Sequence, residues 1–250
     1  MKIFPFASSS TGNATLVQAK ETRILIDCGI TLRLLKSTLD TTNLPQAVFI
    51  THEHSDHIQG AGPIGRNLKI PLYMHQFAYN AKQSQLHHCT VNFLKALEVI
   101  TFGDFKITPF STKHDCLYSF GFIIEELPNG PSLCFLGDTG MVTKLMMDHI
   151  KQCNVAFFEA DYDVEELNKY SEYSDELKHR ISSNVGHLSN DQSIELVKSL
   201  DLDKIKLIIF GHLSSRTNSP EKLNTLINKN FPDYVNKFKI APLLKPIEIL

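Results

Sequence analysis

The run Ala47-Val48-Phe49-Ile50 is apolar without a break, and Thr51-His52-Glu53-His54-Ser55-Asp56-His57 follows it directly. A strand apolar at successive positions is buried on both faces, so the surrounding core fixes where its end lies. That end must deliver three imidazoles and one aspartate carboxylate within six residues. Imidazole and carboxylate together suit zinc, manganese or iron. Four such groups exceed what one structural zinc takes from a single loop. Any fold for this chain must bury the strand and still open its far end to an ion. The density of ligands points to a metal-dependent enzyme, with room for two ions.

The remaining sequence sets the frame. At 250 residues the chain can bury a sizeable core. It carries no long Gly/Ser/Pro linker, low-complexity tract or internal repeat, so residues 1–250 are expected to form a single domain. A net charge of −2 gives no broad basic field, which weighs slightly against nucleic acid but leaves room for a local basic rim. The five cysteines are scattered and show no Cys-x-x-Cys pairing, as expected of reduced thiols in a cytoplasmic protein. The first residues hold no apolar stretch of signal-peptide length, and no run is long enough to span a membrane. The expectation is a soluble, cytoplasmic protein with no membrane partner and an oligomeric state the sequence does not give.

Periodicity and turn residues predict strands at 3–6, 14–18, 23–27, 47–51, 71–74, 97–101, 105–110, 119–125, 133–136, 155–158 and 206–210. Helices are predicted at 30–39, 60–68, 141–150, 175–184, 191–200 and 220–230, with Ser189 or Asn190 capping the fifth and Ser219 before Pro220 starting the last. The acidic stretch 163–175 reads as a surface segment or short helix. Strands early and late with helices at intervals suit an α+β fold of two sheets flanked by helices.

A pattern then repeats: apolar strands end in residues able to bind metal. The strand at 105–110 leads to His114, that at 133–136 to Gly137-Asp138, and that at 206–210 to Gly211-His212. Ligands on loops fixed by buried strands are how metal sites are usually held.

These residues resemble a known family. His52-Glu53-His54-Ser55-Asp56-His57 matches the His-x-His-x-Asp-His signature of the metallo-β-lactamase superfamily, and His114, Asp138 in Gly-Asp-Thr-Gly and His212 follow in that superfamily's order. Asp27-Cys28-Gly29 fits its upstream aspartate motif. The opening Ser-Ser-Ser-Thr-Gly-Asn-Ala (8–14), Gly-His-Leu-Ser-Asn (186–190) and Gly-His-Leu-Ser (211–214) resemble its YycJ/WalJ-like (VicX) subgroup. The resemblance implies the αββα sandwich of two mixed sheets. It also implies two divalent ions, zinc or manganese with iron as a third candidate. His52, His54 and His114 would hold one ion, Asp56, His57 and His212 the second, and Asp138 would bridge them. The reaction implied is hydrolysis by a dinuclear metal-bound hydroxide, with Asp56 and Asp138 as the catalytic carboxylates.

The subgroup is associated with nucleases, including 5′-to-3′ exonucleases on DNA. The expected function is therefore a phosphodiesterase or nuclease, with nucleic acid or another phosphodiester as substrate. The alternatives are a cyclic-phosphate phosphodiesterase, an ester, thioester or lactone hydrolase, and a metal-binding regulatory protein. Asp27 is expected to accept the free ring N–H of a ligand histidine. His187 reads as a donor to substrate phosphate, a supplementary ligand, or a structural residue at a helix start. Ser10 and Asn13 lie in a turn that either presents donors to phosphate or is a hairpin needing positive φ at Gly12 and Asn13. Arg216 is either a phosphate contact or a solvated surface residue. Glu159 and Asp161 end a strand near the site face, as ligand supports or solvated groups. His75, His87, His88, His149 and His179 read as surface or core histidines.

Overall fold

Alternate residues of a strand face opposite ways, and in the computed structural model, which describes residues 1–249, this alternation sorts the apolar side chains into three packing layers. The first part of the chain runs β1 (Lys2–Ser9), β2 (Gly12–Ala19), β3 (Thr22–Ile26), α1 (Leu32–Thr38), β4 (Ala47–Phe49), α2 (Ser55–Ile58), α3 (Ala61–Leu68), β5 (Leu72–Met74), α4 (Gln76–Lys82) and β6 (Val91–Phe93). The second runs β7 (Ile100–Phe102), β8 (Phe105–Ser111), β9 (Phe120–Glu126), β10 (Ser132–Phe135), α5 (Lys144–Gln152), β11 (Val155–Glu159), α6 (Val164–Lys169), α7 (Asp175–Ile181), α8 (Asn190–Lys198), β12 (Leu207–Gly211), α9 (Pro220–Asn230), β13 (Phe238–Ile240) and β14 (Ile247–Glu248).

Two mixed seven-stranded sheets result, ordered β14-β1-β2-β3-β4-β5-β6 and β13-β12-β11-β10-β9-β8-β7. Each begins as an antiparallel meander and continues as parallel strands: β3 to β6 in the first sheet, β10 to β13 in the second. Ile24, Ile26 and Phe49 of the first sheet meet Phe122, Phe135, Phe157 and Ile209 of the second in the central layer. The intervening residues turn outward. Leu25 and Val48 pack under Leu35, Ile58 and Ile64 of the first helices. Ala156, Phe158, Ile208 and Phe210 pack under Ile150, Ile194 and Leu223 of α5, α8 and α9. This is the expected αββα sandwich. Among the described residues no helix is long and apolar enough to cross a membrane.

Some boundaries differ from those expected. The strand predicted at 97–101 lies at Ile100–Phe102, because Leu97 turns the chain at φ 66°. The first predicted helix begins only at Leu32, capped by Thr31. Ser189 caps α8 in a capping box with Gln192, and Ser219 and Pro220 start α9 as expected. The stretch 163–175 contains the short helix α6, capped by Asp163. The Ser8–Asn13 turn uses positive φ at neither Gly12 nor Asn13. Gly12 is instead required by close approach, since a Cβ there would lie 2.4 Å from the Gly29 carbonyl oxygen.

Candidate metal centre

Parallel neighbours place their carboxyl ends side by side, the edge on which α/β sheets gather ligands. Asp27 follows β3, His52 lies just beyond β4, Glu159 ends β11, and Asp138 and His212 follow β10 and β12. Asp27, Gly137 and His212 adopt φ of 58°, 68° and 53°, left-handed turns that swing the chain sharply at the strand ends. Glycine does this freely, whereas aspartate and histidine do so at a cost that local bonds must offset. For His212 the backbone N–H donates to Ser8 Oγ at 2.8 Å, and for Asp27 the N–H donates to the Phe49 carbonyl at 2.8 Å. His54 is the N-cap residue of α2, whose single turn presents Asp56 and His57. The turn is clamped against the Asp27-Cys28-Gly29 loop by Cys28 N–H to the His57 carbonyl at 2.8 Å. A side chain at Gly29 would collide with the Asp56 carbonyl, its Cβ falling 1.5 Å from the oxygen.

The side chains converge in two sets that share no residue, His52, His54, His114 and Asp56, His57, His212. Asp138 Oδ2 stands between them, 3.1 Å from His57 Nε2, 3.4 Å from His212 Nε2, 3.8 Å from His114 Nε2 and 3.9 Å from His52 Nε2. Within the sets, His54 Nδ1 is 3.1 Å from His114 Nε2, and Asp56 Oδ2 is 3.2 and 3.3 Å from His57 and His212 Nε2. Bonds of about 2.0–2.1 Å to a tetrahedral ion put ligand atoms roughly 3.3 Å apart, so these spacings fit. The buried His52 Nε2 makes no hydrogen bond, a costly omission unless an ion completes it.

Contacts behind the ligands set the imidazole tautomers. His57 Nδ1–H donates to Asp27 Oδ2 at 2.8 Å, and His114 Nδ1–H to the Gly186 carbonyl at 2.9 Å. His52 Nδ1–H donates to Thr51 Oγ1 at 2.9 Å, and that hydroxyl donates in turn to Asp27. Each bond fixes its ring with Nε2 facing the centre. Asp27 also accepts the Thr51 backbone N–H at 2.8 Å, which ties the metal loop to β3.

The electrostatics set burial against the surrounding carboxylates. Burial would lower the His57 and His212 imidazoliums, but Asp138 with Asp27, and Asp138 with Asp161 and Asp56, hold them well above the ordinary histidine range. Asp138 is held well below the carboxylate range because His212 and His57 outweigh its burial. His52 and His114 lie on the less compensated side, where burial dominates. His52 falls well below its usual value and His114 drops to about 4.

Of the other predicted residues, Asn13 joins the centre: its amide donates to Asp56 Oδ2 at 3.2 Å and stands 3.1 Å from His57 Nε2. His187 lies against His114 and His212 with ring centroids 5.0 and 5.1 Å away. Glu159 Oε2 accepts from His187 Nδ1 at 2.7 Å, and Glu159 Oε1 takes the Thr139 and Leu188 N–H groups. Burial would lower the His187 imidazolium, but Glu159 and Asp161 push it up to about 9. Ser10 lines a neighbouring cleft, and Arg216 stands exposed over the Tyr173 ring rather than at the centre. His75 caps α4 and stacks on Tyr118, outside the site. Sequence reasoning missed Thr51, Ser8 and the Gly186 carbonyl. Hydroxyls and backbone groups give no ligand signature, although Thr51 and Gly186 adjoin motif histidines.

A family model described as a beta-lactamase superfamily domain matches residues 22–212. The chain is 32% identical over 222 residues to the exodeoxyribonuclease YycJ of Bacillus anthracis, covering 86% of this chain and 83% of that one. It is 32% identical over 238 residues to the exodeoxyribonuclease WalJ of Streptococcus pneumoniae, covering 89% and 86%. Its fold is similar to that of the metallo-beta-lactamase fold protein YhfI from Bacillus subtilis, with TM-score 0.73, 17% identity and coverage of 96% and 95%.

Proposed function

The chain belongs to the metallo-β-lactamase superfamily, with YycJ and WalJ among its relatives, and from that premise we propose that this hydrolase cleaves the phosphodiester bonds of DNA as an exonuclease. The observation that carries the reading is Asp138 Oδ2, set within 3.1–3.9 Å of four imidazole Nε2 atoms drawn from both sheets. His52, His54 and His114 would hold one divalent ion, Asp56, His57 and His212 a second, and Asp138 both. Two such ions acidify a water and offset charge on the attacking and leaving oxygens of a phosphoryl group. Zinc or manganese suits the nitrogen and oxygen donors.

The protein's own groups supply the proton traffic. Asp56 is held ionised, since its bonds with His212 and His57 outweigh burial, and can relay toward solvent, without retaining it, the proton an attacking water loses. His187, protonated at neutral pH and oriented by Glu159, donates to the oxygen that leaves. Asn13 and Asp27 hold Asp56 and His57 in place. Residues from Met1 to Ile249 share the inter-sheet core, which supports a single domain. The five free cysteines suit a cytoplasmic location.

The test compares DNA with blunt and nicked ends, RNA, bis(p-nitrophenyl) phosphate, a thioester and a lactone, each with Mn²⁺ and Zn²⁺. Phosphodiester turnover that is lost in Asp138→Ala is expected. Ester or thioester turnover without phosphodiester turnover overturns the reading, and no turnover by metal-loaded protein leaves a metal-binding regulator.

A further inference from the structure

Beside the metal centre lies a cleft of about 160 Å³ whose floor includes His187 and His212 and whose walls include Tyr173, Leu177, Arg180 and Ile181. Helix α7 gives it an apolar wall. Leu177 and Ile181 are four residues apart, hence on one helix face, and no residue of α7 is fully buried. That apolar face is spent on the cleft rather than on the core.

Tyr173, just before the helix cap, is held without being buried. Tyr170 meets its ring at 4.7 Å and 69°, and the Arg216 guanidinium stands over it at 6.0 Å from the centroid. Arg180 pairs with Asp115, the neighbour of His114, so the helix is tied to the metal loop. The Gly186 carbonyl that accepts from His114 ties it again from the other end.

We infer that this cleft takes an unpaired nucleobase of the substrate strand, stacked on Tyr173, next to the scissile phosphate. The inference rests on the nuclease reading above and adds the feature that positions the strand. A phosphate in this cleft would meet the Asp115 and Asp161 carboxylates, whereas an aromatic ring and two aliphatic side chains match a flat apolar face. The volume is below the roughly 300 Å³ of a cleft for a drug-sized ligand, and suits one ring system. A base seated there has left its partner, so the enzyme draws on single-stranded or frayed ends.

The experiment uses the full metal-loaded chain and single-stranded oligonucleotides carrying an abasic site at each of the terminal positions in turn. Stacking is worth about 5- to 150-fold per base. One abasic position should therefore raise KM by that factor in the wild type. In Tyr173→Ala the intact and abasic substrates should become equal, and Tyr173→Phe should restore the difference. A 2-aminopurine at the same position should be quenched on binding to the wild type, which needs no variant. Cleavage with no penalty for any abasic position, or a penalty that Tyr173→Ala leaves intact, overturns the inference while the nuclease reading stands. Cleavage of duplex DNA without cleavage of any single-stranded oligonucleotide overturns the inference alone, and cleavage of neither overturns both.

Discussion

Replacing Asp27 by asparagine changes one oxygen into a donor and should cost the protein one ion, not two. Asp27 Oδ1 accepts the Thr51 N–H at 2.8 Å. An asparagine must keep its oxygen there, because the reverse orientation sets two donors against each other. Its amide nitrogen then occupies the place of Oδ2, 2.8 Å from His57 Nδ1, and donates to it. His57 must accept at Nδ1 and so carries its proton on Nε2, the atom facing Asp56 and Asp138. That tautomer cannot ligate. Loss of such an outer partner typically weakens metal binding about 10–100-fold, or roughly 1.4–2.7 kcal/mol. The ion on His52, His54 and His114 should be spared, because Thr51 Oγ1 can still donate to the amide oxygen, 3.0 Å away from it in the wild type, and still accept from His52. Titration against a chromophoric chelator should find one equivalent at wild-type affinity and one weakened. Equal loss of both equivalents, or loss of neither, in a variant with unchanged near-ultraviolet circular dichroism would refute the tautomer argument.

His187→Ala should reduce cleavage of DNA by about 10²–10⁴-fold and act far less on bis(p-nitrophenyl) phosphate, whose leaving group needs no proton; equal losses on both substrates would sink the proton-donor role. Ions binding at His57 and His212 must displace the protons that the surrounding carboxylates hold there, so metal uptake at neutral pH should release protons and affinity should fall with pH, as read by calorimetry in buffers of different ionisation enthalpy. In the metal-free protein the sign is opposite: stability from these raised imidazoliums is complete below the unfolded value of about 6.5 and is lost as pH rises through their folded values. Proton-neutral metal binding would contradict both statements.

The candidate metal ligands were legible because they announce themselves by chemical type. His52, His54, Asp56 and His57 are contiguous, and His114, Asp138 and His212 each follow an apolar run, so strand ends could be matched to ligands before any fold was known. The supporting residues were not legible to the same degree. Glu159 ends a strand just as Asp138 does, but a lone carboxylate there is equally a solvated group until His187 is found 2.7 Å from it. A left-handed turn at Gly12 was one of the two readings of its segment, and glycine is needed there instead because the distant Gly29 carbonyl passes close by, a constraint no local pattern carries. Helix α4 and strand β6 went unread for a related reason: Ala78 is the only buried residue of α4, and the three residues of β6 are all at least partly exposed, so neither leaves a periodic apolar signature. Tyr173 falls in a stretch that reads as acidic surface, and Leu177 and Ile181 line a cleft only because the fold sets them opposite His187 and His212.

The division of the candidate ligands between the sheets explains why the centre is preformed yet chemically demanding. Asp27, His52, His54, Asp56 and His57 belong to the first sheet, and His114, Asp138, Glu159, His187 and His212 to the second. Neither half holds either trio complete, since each of the two takes its third ligand from across the seam. What brings the two edges within ligand distance is the apolar layer beneath them, where Ile26 and Phe49 meet Phe120, Phe135 and Phe157. A chain of this length buries enough surface to form that layer without a metal, unlike the small domains that fold only around zinc. Across the seam the carboxylates face the His57 and His212 imidazoles and raise their affinity for protons. The same pairing would make the protons competitors for ions, and it is the outer carboxylates, Asp27 toward His57 and Glu159 toward His187, that hold the Nδ1 protons of both rings in place.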